Sequence, residues 1–186
     1  MKFTKLSIEE YQEKTEAFLK KYAEYMDKLA SINKTEHNDI EKLANNEWNE
    51  YKEKYPEKVK EYKNCRKALY DEYGIYTSYF KCPYYCVITN KDELDKICDD
   101  EEAKNSKTSW YAHALNIINN DIGKKFQDEH EVEICGICKG VAHFIDEIYY
   151  YLIDENNNYH FALSVKPFNE QDHLSYKMVE NGKDYI

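Results

Sequence analysis

The sequence predicts an α+β protein: an N-terminal helical hairpin or three-helix unit packed on an antiparallel β-sheet that carries one long and one short helix. Three observations predict it. Apolar residues recur at three- and four-residue steps through the first 74 positions, the period of a half-buried helix. Beyond Gly74 the pattern changes to short runs rich in Tyr, Val, Ile and Thr, bounded by turn residues. The charge changes at the same place. Residues 1–75 hold 16 acids against 15 bases, which leaves 20 against 11, or −9 of the net −10, for residues 76–186. The expected organisation is therefore a helical unit over 1–74 and an acidic α+β unit over 75–186, the two packing together as one globular body.

The first helix opens on a capping box, Ser7-Ile8-Glu9-Glu10, and its apolar stripe is Ile8, Tyr11, Phe18, Leu19, Tyr22, Met26 and Leu29. After a polar break, Thr35 is placed to cap a second helix carrying Ile40, Leu43, Trp48, Tyr51 and Tyr55, with Glu47 as a polar exception in the register. Pro56 is tolerated only in a first turn, so it reads as the start of a third helix or a kink. Val59, Tyr62, Leu69 and Tyr73 continue the stripe, and Gly74 suits a C-cap.

Strands are expected at Ile75–Phe80 and Tyr84–Thr89. Asn90 is placed to cap a short helix holding Leu94 and Ile97. Ser106 or Ser109 is placed to cap a longer one, with Trp110, Ala114, Leu115, Ile118, Ile122 and Phe126 on one face. Val132–Cys138 and Val141–Ile145 read as a hairpin turning at Lys139-Gly140. Ile148–Ile153 and Tyr159–Lys166 read as a second hairpin around Asp154–Asn158, with Phe161, Leu163 and Val165 on an apolar face. A final strand is expected over Leu174–Val179.

Composition excludes some functions. Twenty-five of the 26 bases are Lys, and the sole Arg is Arg66. An acidic chain with a single guanidinium group is a poor direct binder of nucleic acid, because its phosphate contacts would meet net repulsion. No apolar run follows the first Lys and none reaches membrane-spanning length, so a cytoplasmic protein without membrane contact is expected. The 19 Tyr suit amphipathic contact surfaces, since each ring offers an apolar body and a polar tip.

Two cysteine pairs, Cys82/Cys86 and Cys135/Cys138, are the candidate metal ligands. Four thiolates in two close pairs fit tetrahedral zinc, the one cofactor the pattern suggests. His130 and His143 flank the second pair symmetrically, but an extended hairpin would hold them about 16 Å away from it. Cys82-Pro83-Tyr84-Tyr85-Cys86 resembles the redox motif of glutaredoxins with one residue too many, and strand-like residues follow where that motif needs a helix N-terminus. Asp146, the two following strands and Lys166 resemble the outline of PD-(D/E)xK nucleases, but Ser164 stands where the second acid is required.

The remaining signal is carboxylate density. Asp92, Glu93, Asp95, Asp99, Asp100, Glu101 and Glu102 form one cluster, and Asp128, Glu129, Glu131 and Glu133 a second. Carboxylates spread over a surface imitate phosphates and suit a basic protein partner. The leading expectation is an acidic, intracellular binding protein that occludes a basic, nucleic-acid-binding partner, such as a phage-type inhibitor of a defence nuclease. An immunity protein for a nuclease toxin and a zinc-stabilised adaptor domain are the alternatives. An enzyme with a Cys or His nucleophile ranks below them.

Overall fold

The computed structural model describes residues 3–33, 44–73, 83–145 and 147–171. The expectations at Thr35, Ile40, Leu43, Gly74, Ile75–Phe80, Cys82, Asp146 and Leu174–Val179 lie outside the described residues. The chain has the α+β class, with six helices and a seven-stranded sheet among the described residues. It divides into two compact units, one of Met1–Thr4 and Gln12–Tyr84, the other of Lys5–Tyr11 and Tyr85–Ile186.

Helix α1 spans Ile8–Asn33. Its capping box forms as expected: Glu10 N–H donates to Ser7 Oγ (3.2 Å) and Ser7 N–H to Glu10 Oε2 (3.1 Å). Tyr11 and Phe18 are its buried anchors, with Tyr22 and Tyr25 half-buried one and two turns on. Leu19 and Met26 were expected on that stripe but are 47% and 42% exposed, because alternating steps of four and three from Tyr11, through Thr15, Phe18, Tyr22 and Tyr25, pass them by.

Helices α2 (Asn45–Lys54) and α3 (Pro56–Tyr73) follow, and Pro56 occupies the first turn of α3. Tyr51, Val59 and Tyr62 are buried, with Tyr25, Trp48 and Tyr55 packed around them. Glu47, the polar exception, turns back to accept from Ala44 N–H at 3.0 Å. It satisfies a helix-end donor rather than interrupting a core.

The sheet comprises β1 (Thr4–Lys5), β2 (Tyr84–Ile88), β3 (Lys125–Asp128), β4 (Cys135–His143), β5 (Ile148–Ile153), β6 (Tyr159–Ala162) and β7 (Val165–Pro167). Nine-residue β4 is its centre. On one side β2 pairs antiparallel with its C-terminal half (Cys86 opposite His143) and β3 with its N-terminal half (Gln127 opposite Cys135). On the other side β5 pairs along most of its length, and β6 pairs with β5. Three helices follow β2: α4 (Lys91–Ile97), α5 (Glu101–Asn105) and α6 (Trp110–Asn120), one more short helix than expected. Asn90 and Ser109 cap α4 and α6 by accepting from Glu93 N–H and Ala112 N–H.

Several strand expectations are corrected. No hairpin turns at Lys139-Gly140; β4 runs straight through with a bulge between Cys138 and Gly140. The turn comes later, where Phe144 N–H donates to Glu147 C=O. Helix α6 ends at Asn120 instead of reaching Phe126. Gly123, at φ +91°, redirects the chain into β3, and the buried stripe of α6 is Tyr111, Ala114 and Ile117. The hairpin around Asp154–Asn158 forms, but its second strand breaks at Leu163-Ser164, and Leu163 is 63% exposed rather than facing a core.

That break shapes the sheet. β6 lies outside β5, and β7 pairs with β3 on the opposite side of β4. Two residues separate β6 from β7, a reach of about 10 Å. The strand path β7-β3-β4-β5-β6 therefore curls until its edges approach one another, in the manner of a small barrel.

Candidate functional site

The expected acidic residues divide by what they bond to. Glu93 Oε2 accepts from the backbone and hydroxyl of Thr89 (2.7 and 2.9 Å). Asp95 accepts from Tyr111 Oη at 2.5 Å and pairs with Lys91, and these contacts hold its carboxyl below the usual range, the Lys91 contact contributing most. Asp100 caps α5 by accepting from Glu102 N–H and Ala103 N–H. Glu101 pairs with Lys104 at 3.0 Å. Asp128, only 8% exposed, accepts from His130 N–H and Glu131 N–H. These five build local structure. Asp92, Asp99, Glu102, Glu129, Glu131 and Glu133 are exposed, and among the described residues their carboxylates have no ion-pair or hydrogen-bond partner.

Asp100 of the first cluster and Asp128 of the second lie toward opposite ends of β4. Asp100 precedes α5, whose Ala103 carbonyl accepts from Ser109 Oγ at the start of α6 (2.6 Å). Trp110, the next residue, packs on His143 at the C-terminal end of β4, with ring centroids 4.8 Å apart. Asp128 ends β3 beside Cys135, at the other end of β4. Eight residue steps of strand separate Cys135 from His143, roughly 26 Å.

The cysteines are spread through the same sheet. Cys86 lies opposite His143, fully buried, and burial pushes its thiol up to about 12. Cys135 and Cys138 are three apart on one extended strand, so their side chains leave opposite faces. Cys138 is fully buried and its thiol is raised, chiefly by desolvation, while Cys135 is half-buried. Cys82 lies outside the described residues. Among the described residues no three His, Cys, Asp or Glu side chains gather as a metal ion would require. His130 does not face His143, because β4 is a single strand. Lys166 of the nuclease-like outline lies on β7, opposite Gln127.

Sequence reasoning missed two arrangements. One is a buried polar contact: Tyr11 Oη lies 2.8 Å from His143 Nδ1, and Trp110 covers the imidazole from α6. Burial pulls the His143 pKa down to about 4, so the ring is neutral and Tyr11 donates to it. The three residues are 33 to 132 positions apart, and no local pattern links them.

The other is a groove of about 690 Å³ beside the second acidic cluster. Strand β4 contributes Cys135, Gly136 and Ile137, β5 contributes Ile153, and the Asp154–Asn157 loop forms one wall. Lys125, Lys139, Glu133, Phe168 and Glu170 complete it. Asp154 organises the loop, accepting from Asn156 N–H, Asn158 N–H, Asn158 Nδ2 and His160 Nε2. His160 above all, and then these amides, hold its carboxyl down at about 2. Lys125 Nζ stands 3.8 Å from the centroid of the Phe168 ring, a cation–π contact. Four carboxylates against two ammonium groups leave the groove acidic, with Ile137 and Ile153 as aliphatic residues in its lining.

Comparison with protein-family models, with curated proteins and with solved structures returned no match. Among the described residues no helix is long and apolar enough to cross a membrane.

Proposed function

We propose that this chain is an intracellular binding protein that occludes the nucleic-acid-binding surface of a basic partner, as a phage-type inhibitor of a defence nuclease would. The observation that carries the reading is the set of six exposed carboxylates that have no ion-pair or hydrogen-bond partner among the described residues: Asp92, Asp99, Glu102, Glu129, Glu131 and Glu133. A carboxylate already paired within its own chain offers little to a partner, whereas an unpaired one retains its full field. Six such charges steer a cationic protein toward the surface and make association fast and salt-sensitive. An immunity protein for a nuclease toxin uses the same chemistry, and the identity of the inhibited enzyme separates the two.

The test is a panel of purified, basic DNA- and RNA-cleaving nucleases assayed with and without the full chain. Inhibition of a member, relieved by added salt and weakened by Asp99→Asn/Glu102→Gln or by Glu129→Gln/Glu131→Gln/Glu133→Gln, supports the reading. Uniform lack of binding and inhibition, or inhibition indifferent to salt and to both variants, overturns it.

A further inference from the structure

Helix α1 carries a second apolar stripe, and it is exposed. Leu19, Ala23, Met26 and Ala30 recur at steps of four, three and four, the spacing of successive core positions in a two-helix coiled coil. Leu19 and Met26 are 47% and 42% exposed, and both alanines are exposed with them. The contacts of α1 with α2 and α3 lie on another face. Tyr25 packs against Tyr51, Val59 and Tyr62, and Lys28 pairs with Glu61 of α3 at 3.4 Å. At 3.6 residues per turn, the centre of the stripe lies about 130° round the helix from Tyr25 and about 170° from Lys28. Single apolar residues scattered on a surface are ordinary, whereas four in one register form a seam.

We propose that this seam is an interface between two copies of the chain, whose α1 helices pack antiparallel about a two-fold axis. It does not depend on the acidic residues of the second half. The charges beside the seam select both the occupant and its direction. Lys20 follows Leu19 and Asp27 follows Met26, so both stand on one flank, a heptad apart. Both are exposed, and among the described residues neither has an ion-pair or hydrogen-bond partner. Along a single helix they are about 10.5 Å apart, too far to pair with each other. In the antiparallel pair, Leu19 lies level with Ala30 of the second copy and Met26 with its Ala23, so each large side chain meets a small one. Lys20 then falls on the same flank as Asp27 of the second copy, about 3 Å away along the axis. The two-fold repeats the contact, giving two such bridges per dimer. A parallel pair would set that flank against Thr15 and Tyr22, which carry no charge. Self-repulsion is small, because residues 1–75 hold 16 acids against 15 bases.

The test is sedimentation equilibrium of the full-length protein from micromolar to millimolar concentration. The expected result is a reversible monomer–dimer equilibrium that added salt weakens. Leu19→Glu, at an exposed position, is expected to abolish the dimer and to leave the thermal midpoint of the dilute protein unchanged. Lys20→Glu leaves the flank with two acids and Asp27→Lys leaves it with two bases, so each alone weakens the dimer several-fold. An equimolar mixture of these two variants is expected to dimerise again, since each supplies the charges the other lacks. The Lys20→Glu/Asp27→Lys chain is expected to dimerise by itself for the same reason. A monomer throughout the range, the result expected where the stripe is merely solvated or serves a different protein, would overturn the proposal. So would a dimer that survives Leu19→Glu, or one lost in both single charge variants and not restored by mixing them.

Discussion

Gly140 passes so close to Ile88 that a Cβ on Gly140 would lie 2.5 Å from the Ile88 carbonyl oxygen. Its φ of +152° is one that other residues rarely adopt. This contact seats the bulge of β4 against β2 and lets one strand serve partners on both sides. Gly140→Ala is therefore expected to destabilise the fold by about 2 kcal/mol or more, through backbone strain and collision together. Gly123→Ala is the control. Gly123 also has positive φ, but nothing lies within 4 Å of its Cβ position, so about 1 kcal/mol is expected. Denaturant midpoints of the two variants check this; equal losses would show that the close approach to Ile88 contributes nothing.

The Tyr11–His143 contact predicts a pH dependence. Burial holds His143 at about 4, down from the ordinary 6.5. Between these values the unfolded chain binds a proton that the folded chain refuses. The stabilisation is thus complete above about pH 6.5 and lost as the pH falls to 4, a change of roughly 3 kcal/mol. His143→Gln, which keeps an acceptor for Tyr11 but cannot titrate, is expected to flatten the urea-unfolding profile across this window. Tyr11→Phe leaves the Nδ1 acceptor orphaned and is expected to lose about 1–3 kcal/mol at neutral pH. A wild-type profile already flat from pH 6.5 to 4 contradicts the assignment.

The carboxylates separate into two mutational classes. Asp99→Asn, Glu102→Gln, Glu129→Gln, Glu131→Gln and Glu133→Gln remove charges that have no ion-pair or hydrogen-bond partner among the described residues, so each is expected to change stability by no more than about 0.5 kcal/mol. Asp100→Ala removes an N-cap and Asp95→Ala removes the Tyr111 bond, and each is expected to lose about 1 kcal/mol. Thermal melts of all seven variants are the check. A melt for Glu131→Gln as depressed as that for Asp100→Ala would mean that the unpartnered class is structural after all.

Thiol chemistry follows burial. Iodoacetamide is expected to label Cys65 and Cys135, both half-exposed, well before Cys86, Cys98 and Cys138, which are buried and have raised thiol pKa values. Peptide mapping after timed alkylation reads the order directly. Labelling of Cys86 as fast as Cys135 without denaturant would show that the sheet opens at β2.

The elements legible in the sequence are those whose determinants lie within a few residues of one another. Ser7 with Glu10, Asn90 with Glu93, Ser109 with Ala112, Pro56 at a helix start and the Asp154–Asn158 loop between two strands all appear where they were expected. Phe126 shows where that reading stops. Its helical spacing from Trp110 was genuine, but Gly123 redirected the chain and β4 and β7 claimed Lys125–Asp128 as a strand between them.

The candidate site was less legible still. Eleven acids were named from local density, and nothing in that density distinguishes Asp100, whose carboxylate accepts from two amides of its own helix, from Glu102 two residues on, whose carboxylate has no partner among the described residues. Lys125 and Phe168 did not stand out at all, since each is unremarkable until β3 is paired with both β4 and β7.

By itself, then, the chain determined its α+β class, the starts of α1, α3, α4 and α6, the hairpin around Asp154–Asn158 and the acidic character of its second half, because periodicity, capping and net charge are local or additive properties. The tertiary structure alone decided that β4 is one strand, that the sheet curls, and that Asp100 and Asp128 lie toward opposite ends of β4. Those outcomes depend on which strands pair and in what register, and hydrogen bonds between residues dozens of positions apart leave no periodic trace in either segment.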